Sequence, residues 1–247
     1  MKISIITVSY NSIDTIEDTI KSVMAQNYKD IEYIVIDGGS TDGTLDVLKK
    51  YNTFISKIVS ESDNGIYDAM NKGIDIATGE IIGLLNSDDF YIDKNVLSII
   101  TDTFEHDDID ALYTDLVYVD REDIKKKVRH WKSGVFQKKK LKNGWVPPHP
   151  TFFVKKGVYK KYAKFNLDFK IAADYELMLR FLLKHIKIKY LNKTLVCMRE
   201  GGHSASGLRQ RYKGWVELKK AWVVNGLAVP RWFIVRRIIS KLKQYIV

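Results

Sequence analysis

Apolar positions along the first half of the chain alternate between two rhythms. Lys2–Ser9 is a continuous run rich in β-branched residues, and Ile13, Ile16, Ile20 and Val23 follow at helical spacing behind Ser12, a possible cap. Ile31–Asp37 repeats the strand pattern, a Gly-rich turn over 38–43 interrupts it, and Thr44–Tyr51 reads as helix. The unit recurs with Lys57–Ser60 as a short strand and Ile66–Ala77 as a helix. Glu80–Leu85 then forms a strand apolar on both faces, as the central strands of covered sheets are. Strand-then-helix steps in this order predict a parallel sheet.

The second half is less regular. Val96–Phe104 reads as helix, Ala111–Val119 and Thr151–Val154 as strands, and Ala172–Lys184 as a strongly amphipathic helix. Ile186–Leu191 and Thr194–Met198 suggest two more short strands, while the lysine-rich stretch from Lys125 to Lys142, which contains no acid, reads as a mobile loop. From Arg209 onward, 10 basic residues face a single acid, Glu217, and alternate with Trp215, Trp222, Trp232, Phe233, Ile238, Ile239 and Leu242. That is a basic, aromatic, amphipathic tail.

Charge sharpens the division. The net charge of +10 conceals 9 Lys and Arg against 25 Asp and Glu over residues 1–123, and 31 against 5 over residues 124–247. An acidic half suits capture of a divalent cation, and a basic half suits anionic lipid or a phosphorylated substrate. A nucleic-acid binder would not need the acidic half. The 247 residues are enough for one main domain, and the single cysteine, Cys197, fits a reducing compartment. No stretch approaches the roughly 18 uninterrupted apolar residues of a spanning helix.

In open α/β sheets ligands bind beyond the carboxyl ends of the strands, so acids placed there converge on one crevice. Asp37 ends the second strand, Glu61 and Asp63 follow the third, and Asp88 and Asp89 follow the fourth. A lone acid at such a place serves equally as a turn former or helix cap. Adjacent carboxylates repel unless a cation such as hydrated Mg2+ or Mn2+ sits between them and a substrate. Phosphate-loop and dinucleotide enzymes want glycines after the first strand, where this chain has Tyr10-Asn11-Ser12.

Ile5–Asn11 (IITVSYN), Val35–Thr44 (VIDGGSTDGT), Ser60–Gly73 (SESDNGIYDAMNKG) and Gly79–Asp89 (GEIIGLLNSDD), in this order and spacing, resemble the family 2 glycosyltransferases of the GT-A fold over residues 1–95. The resemblance implies an α/β, GT-A-like mixed sheet flanked by helices, here with a basic C-terminal helical appendage. It implies that Tyr10, Asp37 and Asp63 line the nucleoside pocket, that Thr7, Ser9 and Asn71 belong to the same donor side, and that Asp88-Asp89 stand for the family's Asp-x-Asp-like motif. Asp89 is then the expected direct contact to Mn2+ or Mg2+, with Asp88 beside it. Ala173-Asp174-Tyr175-Glu176 resembles the family's catalytic Glu-Asp position with alanine in place of the first acid, and Asp174 matches the base.

His149, in the Pro-bounded segment Trp145–Thr151, and His203, in a Gly- and Ser-rich loop, are further candidates, His203 as an added metal or diphosphate ligand. The organisation expected is a transferase domain over 1–206, in which residues 1–95 bind the donor and residues 96–206 bind the acceptor, followed by amphipathic helices over 207–247. The expected activity is inverting transfer from a nucleoside-diphosphate sugar, UDP-linked, to a hydroxyl of a lipid-linked or saccharide acceptor. Arg231, Arg236, Arg237, Lys241 and Lys243 would meet anionic headgroups or a lipid-linked diphosphate, placing the protein peripherally at the inner face of the plasma membrane. A catalytically silent membrane-bound partner of another transferase, or a basic nucleic-acid binder, are the competing readings. The intact Asp88, Asp89 and Asp174 speak against the first.

Overall fold

A computed structural model describes residues 1–201 and 207–242. Its centre is a nine-stranded mixed sheet. Strands β1 (Ile3–Ser9), β2 (Ile31–Asp37), β3 (Lys57–Ser60) and β4 (Ile81–Asn86) run parallel in the order β3-β2-β1-β4. Every residue of β1 is buried, as suits a central strand covered on both faces, and its Ser and Thr hydroxyls are hydrogen-bonded. The register sets Ser9 beside Asp37 and Val8 beside Asn86, so the carboxyl ends of three strands finish level at one edge.

Helices α1 (Ile16–Met24), α2 (Thr44–Lys50) and α4 (Val96–His106) cover one face around Ile5, Val35 and Phe104. Helices α3 (Ile66–Ile76), α6 (Lys156–Tyr162), α7 (Ala173–Leu183) and α8 (Leu208–Val224) cover the other around Ile6, Met70, Leu177 and Leu218. Gly73 lets α3 close on β1, since a Cβ there would run into the Ile6 side chain.

The second half of the sheet departs from the sequence expectation. β8 (Phe153–Lys155) is antiparallel to β4, and β6 (Ala111–Val119) lies between β8 and β9 (Ile188–Arg199). β9 is one strand rather than two, with register shifts against β6 near Asp115. An unexpected β5 (Asp89–Tyr91) pairs antiparallel with the end of β9. The stretch expected as a mobile loop contains β7 (Lys127–Trp131), paired with β6, and the short α5 (Lys138–Leu141). Ser12 does not cap α1, whose cap residue is Thr15. The Ser12 hydroxyl instead meets Ser87 Oγ at 2.8 Å, joining the ends of β1 and β4.

The tail also differs from a separate appendage. Leu218, Ala221 and Trp222 of α8 are buried in the main core, and the Trp222 indole donates to the Tyr175 hydroxyl at 3.0 Å. Helix α9 (Phe233–Leu242) packs Phe233 edge-on against Trp222. Its other side leaves Val235, Ile238 and Ile239 exposed beside Trp232. No described helix is long and apolar enough to cross a membrane.

Candidate active site

The first component is the carboxyl-end edge of β1, β2 and β3. Asp37 is fully buried, and its carboxylate accepts from Ser9 Oγ (3.1 Å), Ser40 Oγ (2.5 Å), Ser60 Oγ (2.7 Å), Gly39 N (3.1 Å) and Ser40 N (3.0 Å). Burial works against the charge, but the bonds from Ser40, Ser60 and Ser9 outweigh it and hold the carboxyl below its usual range. Five donors exhaust its lone pairs, so Asp37 ties three strand ends together rather than offering a free acceptor to a base or ribose.

Above it the chain turns sharply. Asn11 adopts φ 48°, a left-handed conformation that asparagine tolerates, and its amide oxygen accepts from Thr41 N at 2.9 Å. The turn leaves Tyr10 60% exposed, facing Gly38 and Asp63. A Cβ on Gly38 would stand 2.6 Å from Asp63 Oδ2 and 3.4 Å from the Tyr10 ring, so the missing side chain makes the space in which the two approach. Asp63 Oδ1 accepts from Gly65 N at 2.8 Å, while Oδ2 faces that space. An aromatic ring beside a carboxylate suits a planar heterocycle with N–H or O–H donors.

The second component is the Asp88-Asp89 pair between β4 and β5. Asp88 is partly exposed, whereas Asp89 has no exposed surface. Asp89 Oδ2 accepts from the Asn86 amide at 2.9 Å, and its Oδ1 has no hydrogen-bond partner among the described residues. Burial, reinforced by the negative charge of Asp88, pushes the Asp89 carboxyl well above the carboxylate range. Arg199, at the end of β9, donates to the Asp88 carbonyl at 2.8 Å and pairs with Asp18 at 2.5 Å, clamping the turn.

Among the described residues no group of three or more metal-binding side chains converges. A divalent ion held by one or two carboxylates, with water and phosphate completing its shell, needs no such group. The outward Asp88 and the partnerless oxygen of Asp89 fit that mode. Asp89, the expected direct contact, is the more buried of the two acids, and Asp88 the more exposed.

The third component is the start of α7. Tyr67, from α3, shares one phenol proton between the Ile171 carbonyl (2.8 Å) and Asp174 Oδ1 (3.2 Å). Burial first, then the Asp174 charge, pushes the Tyr67 hydroxyl far up. Burial also lowers the His149 imidazole below its usual value, against the opposing pull of the Asp174 charge. Glu217, the only acid after Glu200, accepts from the backbone N–H groups of Lys170 (2.9 Å), Ile171 (2.8 Å) and Ala172 (2.8 Å). It thereby fixes the segment that leads into Asp174.

Other expected donor residues have structural duties. Thr7 is buried and accepts from the Tyr33 hydroxyl at 3.1 Å, on the core side of β1. Ser9 is spent on Asp37. Both amide ends of Asn71 bond the Phe165 backbone at 2.9 Å, locking α3 to the loop before α7. His203 lies outside the described residues. Arg199, Tyr67 and Glu217 escaped the sequence reading, because each works on a partner far away along the chain.

A parallel four-stranded half continued by strands of both directions, with acids at the strand ends, is the mixed sheet of the GT-A class. The family model for Glycosyl transferase family 2 matches residues 4–164, and the chain belongs to that family. An uncharacterised glycosyltransferase of Mycobacterium tuberculosis is 35% identical over 188 residues, covering 73% of this chain and 69% of its own. A putative teichuronic acid biosynthesis glycosyltransferase of Bacillus subtilis is 41% identical over 90 residues, 35% of this chain and 36% of that one.

Among solved structures, Staphylococcus aureus TarS 1–349 in complex with UDP-GlcNAc superimposes with a TM-score of 0.71 at 21% identity, over 90% of this chain and 67% of that one. A mannosyltransferase of Pyrobaculum calidifontis in complex with GDP-Man and Mn2+ gives 0.68 at 16% identity, over 98% and 69%. These likenesses show a shared fold. The chain spans 40% of the longer TarS structure.

Proposed function

We propose that this protein transfers a sugar, with inversion, from a nucleoside-diphosphate sugar to an acceptor hydroxyl. The observation that carries the reading is the placement of Asp174. It stands in the first turn of α7, touched by a phenol from the opposite half of the molecule. A carboxylate so lightly bonded remains a competent proton acceptor. Asp174 takes the proton of the acceptor hydroxyl as its oxygen attacks the anomeric carbon, and the bond from that carbon to the diphosphate breaks on the far side.

Tyr10 and Asp63 receive the nucleoside, and the order maintained by Asp37 keeps their loop in shape. Asp88, backed by Asp89, is the place for Mn2+ or Mg2+, which when bound would neutralise charge on the leaving nucleoside diphosphate. A UDP-linked donor is favoured by the TarS likeness, and a polysaccharide pathway by the teichuronic acid relative. The acceptor we favour is lipid-linked. The exposed Trp232, Ile238 and Ile239 beside Arg231 and Arg236 suit an anionic membrane surface, at the cytoplasmic face where nucleotide sugars are made.

Nucleotide release from UDP-, GDP- and dTDP-sugars, with Mn2+ or Mg2+ and with chelator, tests the core of this. Slow metal-dependent hydrolysis of one donor, lost in Asp88→Ala, is expected. No hydrolysis and no donor binding across the panel would sink the reading. For the membrane contact, Ile238→Gln with Ile239→Gln should reduce sedimentation with phosphatidylglycerol vesicles without altering donor hydrolysis. Unchanged sedimentation removes α9 as the contact.

A further inference from the structure

The lysine-rich stretch between β6 and β8 holds one apolar residue out into solvent. From Lys125 to Lys142 it contains no acid, yet the turn at its middle is fixed by side chains from elsewhere. Ser133 is buried, and its N–H donates at 2.7 Å to Asp115, a buried acid of β6 that has no part in the transfer. The Ser133 hydroxyl donates to the Thr114 carbonyl at 2.8 Å, and the Ser133 carbonyl accepts from the Trp145 indole at 3.2 Å. Gly134 takes φ 65°, which glycine adopts without strain, and its carbonyl accepts from the Tyr113 hydroxyl at 2.8 Å. Phe136, on the far side of the turn, stacks on Trp145 with ring centroids 5.8 Å apart.

Between these anchors Val135 is 64% exposed, while its carbonyl accepts from Lys140 Nζ at 2.8 Å. Ordering a turn opposes chain entropy, and here the bonds that do so hold a side chain that touches little of the protein. Lys132 precedes the turn, and Lys138, Lys139 and Lys142 follow it on or beside α5, which is anchored by the buried Leu141. All four lysines are exposed, and among the described residues none of them pairs with an acid. The segment also abuts α9. The Gly144 carbonyl accepts from Arg237, and a Cβ on Gly144 would stand 2.9 Å from Arg237 Cδ.

We propose that the turn at Val135 is a second membrane contact, in which Val135 enters the interface of an anionic bilayer while Lys132, Lys138, Lys139 and Lys142 meet headgroup phosphates. Lysine stems lie along an apolar boundary with their ammonium groups among the headgroups, and each adds attraction to an anionic leaflet. A soluble polyanion would engage the lysines alone, whereas an apolar tip gains only where it can leave water for acyl chains. With α9 as the other contact, the bilayer would meet two neighbouring elements and so fix the tilt of the site above it. The inference rests on the reading that this transferase works at a membrane.

The test sediments the full chain with phosphatidylcholine vesicles, with and without phosphatidylglycerol. Wild type should bind the anionic vesicles and leave the neutral ones. Val135→Gln should partition about fivefold more weakly. Lys138→Gln with Lys139→Gln should lose about twentyfold, at roughly fivefold per lysine near the surface. Lys49→Gln with Lys50→Gln, on α2, removes the same charge from exposed positions elsewhere and should change little. Each variant should unfold at the wild-type midpoint, since every side chain replaced is exposed.

The proposal is overturned if Val135→Gln binds as wild type does, which would leave a basic patch open to any polyanion. It is overturned equally if the α2 pair loses as much as the α5 pair, or if wild type binds neither vesicle. Comparison with Ile238→Gln and Ile239→Gln separates the two contacts. Weakening in both sets is expected; loss in the α9 variant with none in Val135→Gln counts against the turn, and the converse against α9. Donor hydrolysis is read on the same samples. Its absence with vesicle binding intact counts against the transferase reading and leaves the contact standing.

Discussion

Asp37 and Asp174 are both carboxylates at an edge of the fold, but they are held in opposite ways. Asp37 is fixed from its own neighbourhood, by hydroxyls and amides on the ends of three adjacent parallel strands. Asp174 is placed from a distance, by a phenol on α3 and by a tail glutamate that pins the preceding backbone. The first is saturated with donors and organises structure. The second has one shared proton and is left able to react. A carboxylate's donor count therefore separates the two roles more sharply than its position at a strand or helix end.

The largest effect should come from the under-bonded acid. Asp174→Asn keeps the shape and removes the proton acceptor, so kcat for transfer should fall by about 10^2–10^4 with the fold intact. A variant that transfers at near wild-type rate would erase the distinction. Asp37→Asn should do the reverse. One carboxylate oxygen becomes an amide that points its own hydrogens at donors, costing about 2–4 kcal/mol of stability in urea denaturation. Activity per folded molecule should change little. If instead stability holds and donor binding collapses, Asp37 is a ligand-facing group after all.

Glu217→Ala tests whether long-range placement matters to the chemistry. Loss of an acceptor for three backbone N–H groups should cost about 1.5–3 kcal/mol, and partial solvation of the freed groups places the result toward the lower figure. The informative readout is kinetic. kcat should fall while KM for the donor stays, because the loosened segment carries Asp174 and not the nucleoside pocket. Glu217→Gln, which keeps one good acceptor oxygen, should recover some of the loss. Equal damage to kcat and donor KM would mean that α8 supports the whole fold and nothing in particular.

The same contrast governs what the sequence made legible. β1, β2 and β4 are dominated by isoleucine, valine and leucine and closed by Gly or Asn turns, so local pattern suffices. β5 begins with an acid and is three residues long, β7 is embedded among lysines, and Asn192-Lys193 interrupts the apolar pattern of β9. Those strands exist because a neighbour offers an edge, and a neighbour has no local signature. Likewise Asp63, Asp88 and Asp174 were visible as acids beside turns and helix starts, but donor counts were not. Thr7, Ser9 and Asn71 looked like pocket residues until the partners of their polar atoms were known. Tyr67 and Glu217 gave no local sign that they reach the residues around Asp174.

The smallest effect sharpens the comparison from the far end of the same half. Glu32, at the start of β2, is another locally satisfied acid, bonded by Ser4 Oγ (2.6 Å), Thr78 N (2.6 Å) and Thr78 Oγ1 (2.8 Å). Lys2 and Lys57 lie at 3.8 and 3.6 Å. Burial opposes its charge, but the bonds from Ser4 and Thr78 prevail and hold the carboxyl at about 2, against 4.5 for the free group. Because the folded value lies below the unfolded one, the stabilisation is complete above the unfolded value and is lost as pH falls from there toward the folded one. Allowing for solvent screening of the lysines, it amounts to about 1–2 kcal/mol. Glu32→Gln should therefore lower stability at pH 7 by that amount, and the two stability curves should converge as the medium is acidified. Transfer per folded molecule should be unchanged at every pH, since Glu32 lies at the amino end of the strands and the site at the carboxyl end. A kinetic defect in Glu32→Gln would show that the saturated acids of this half reach the chemistry after all, and the division drawn between Asp37 and Asp174 would fail with it.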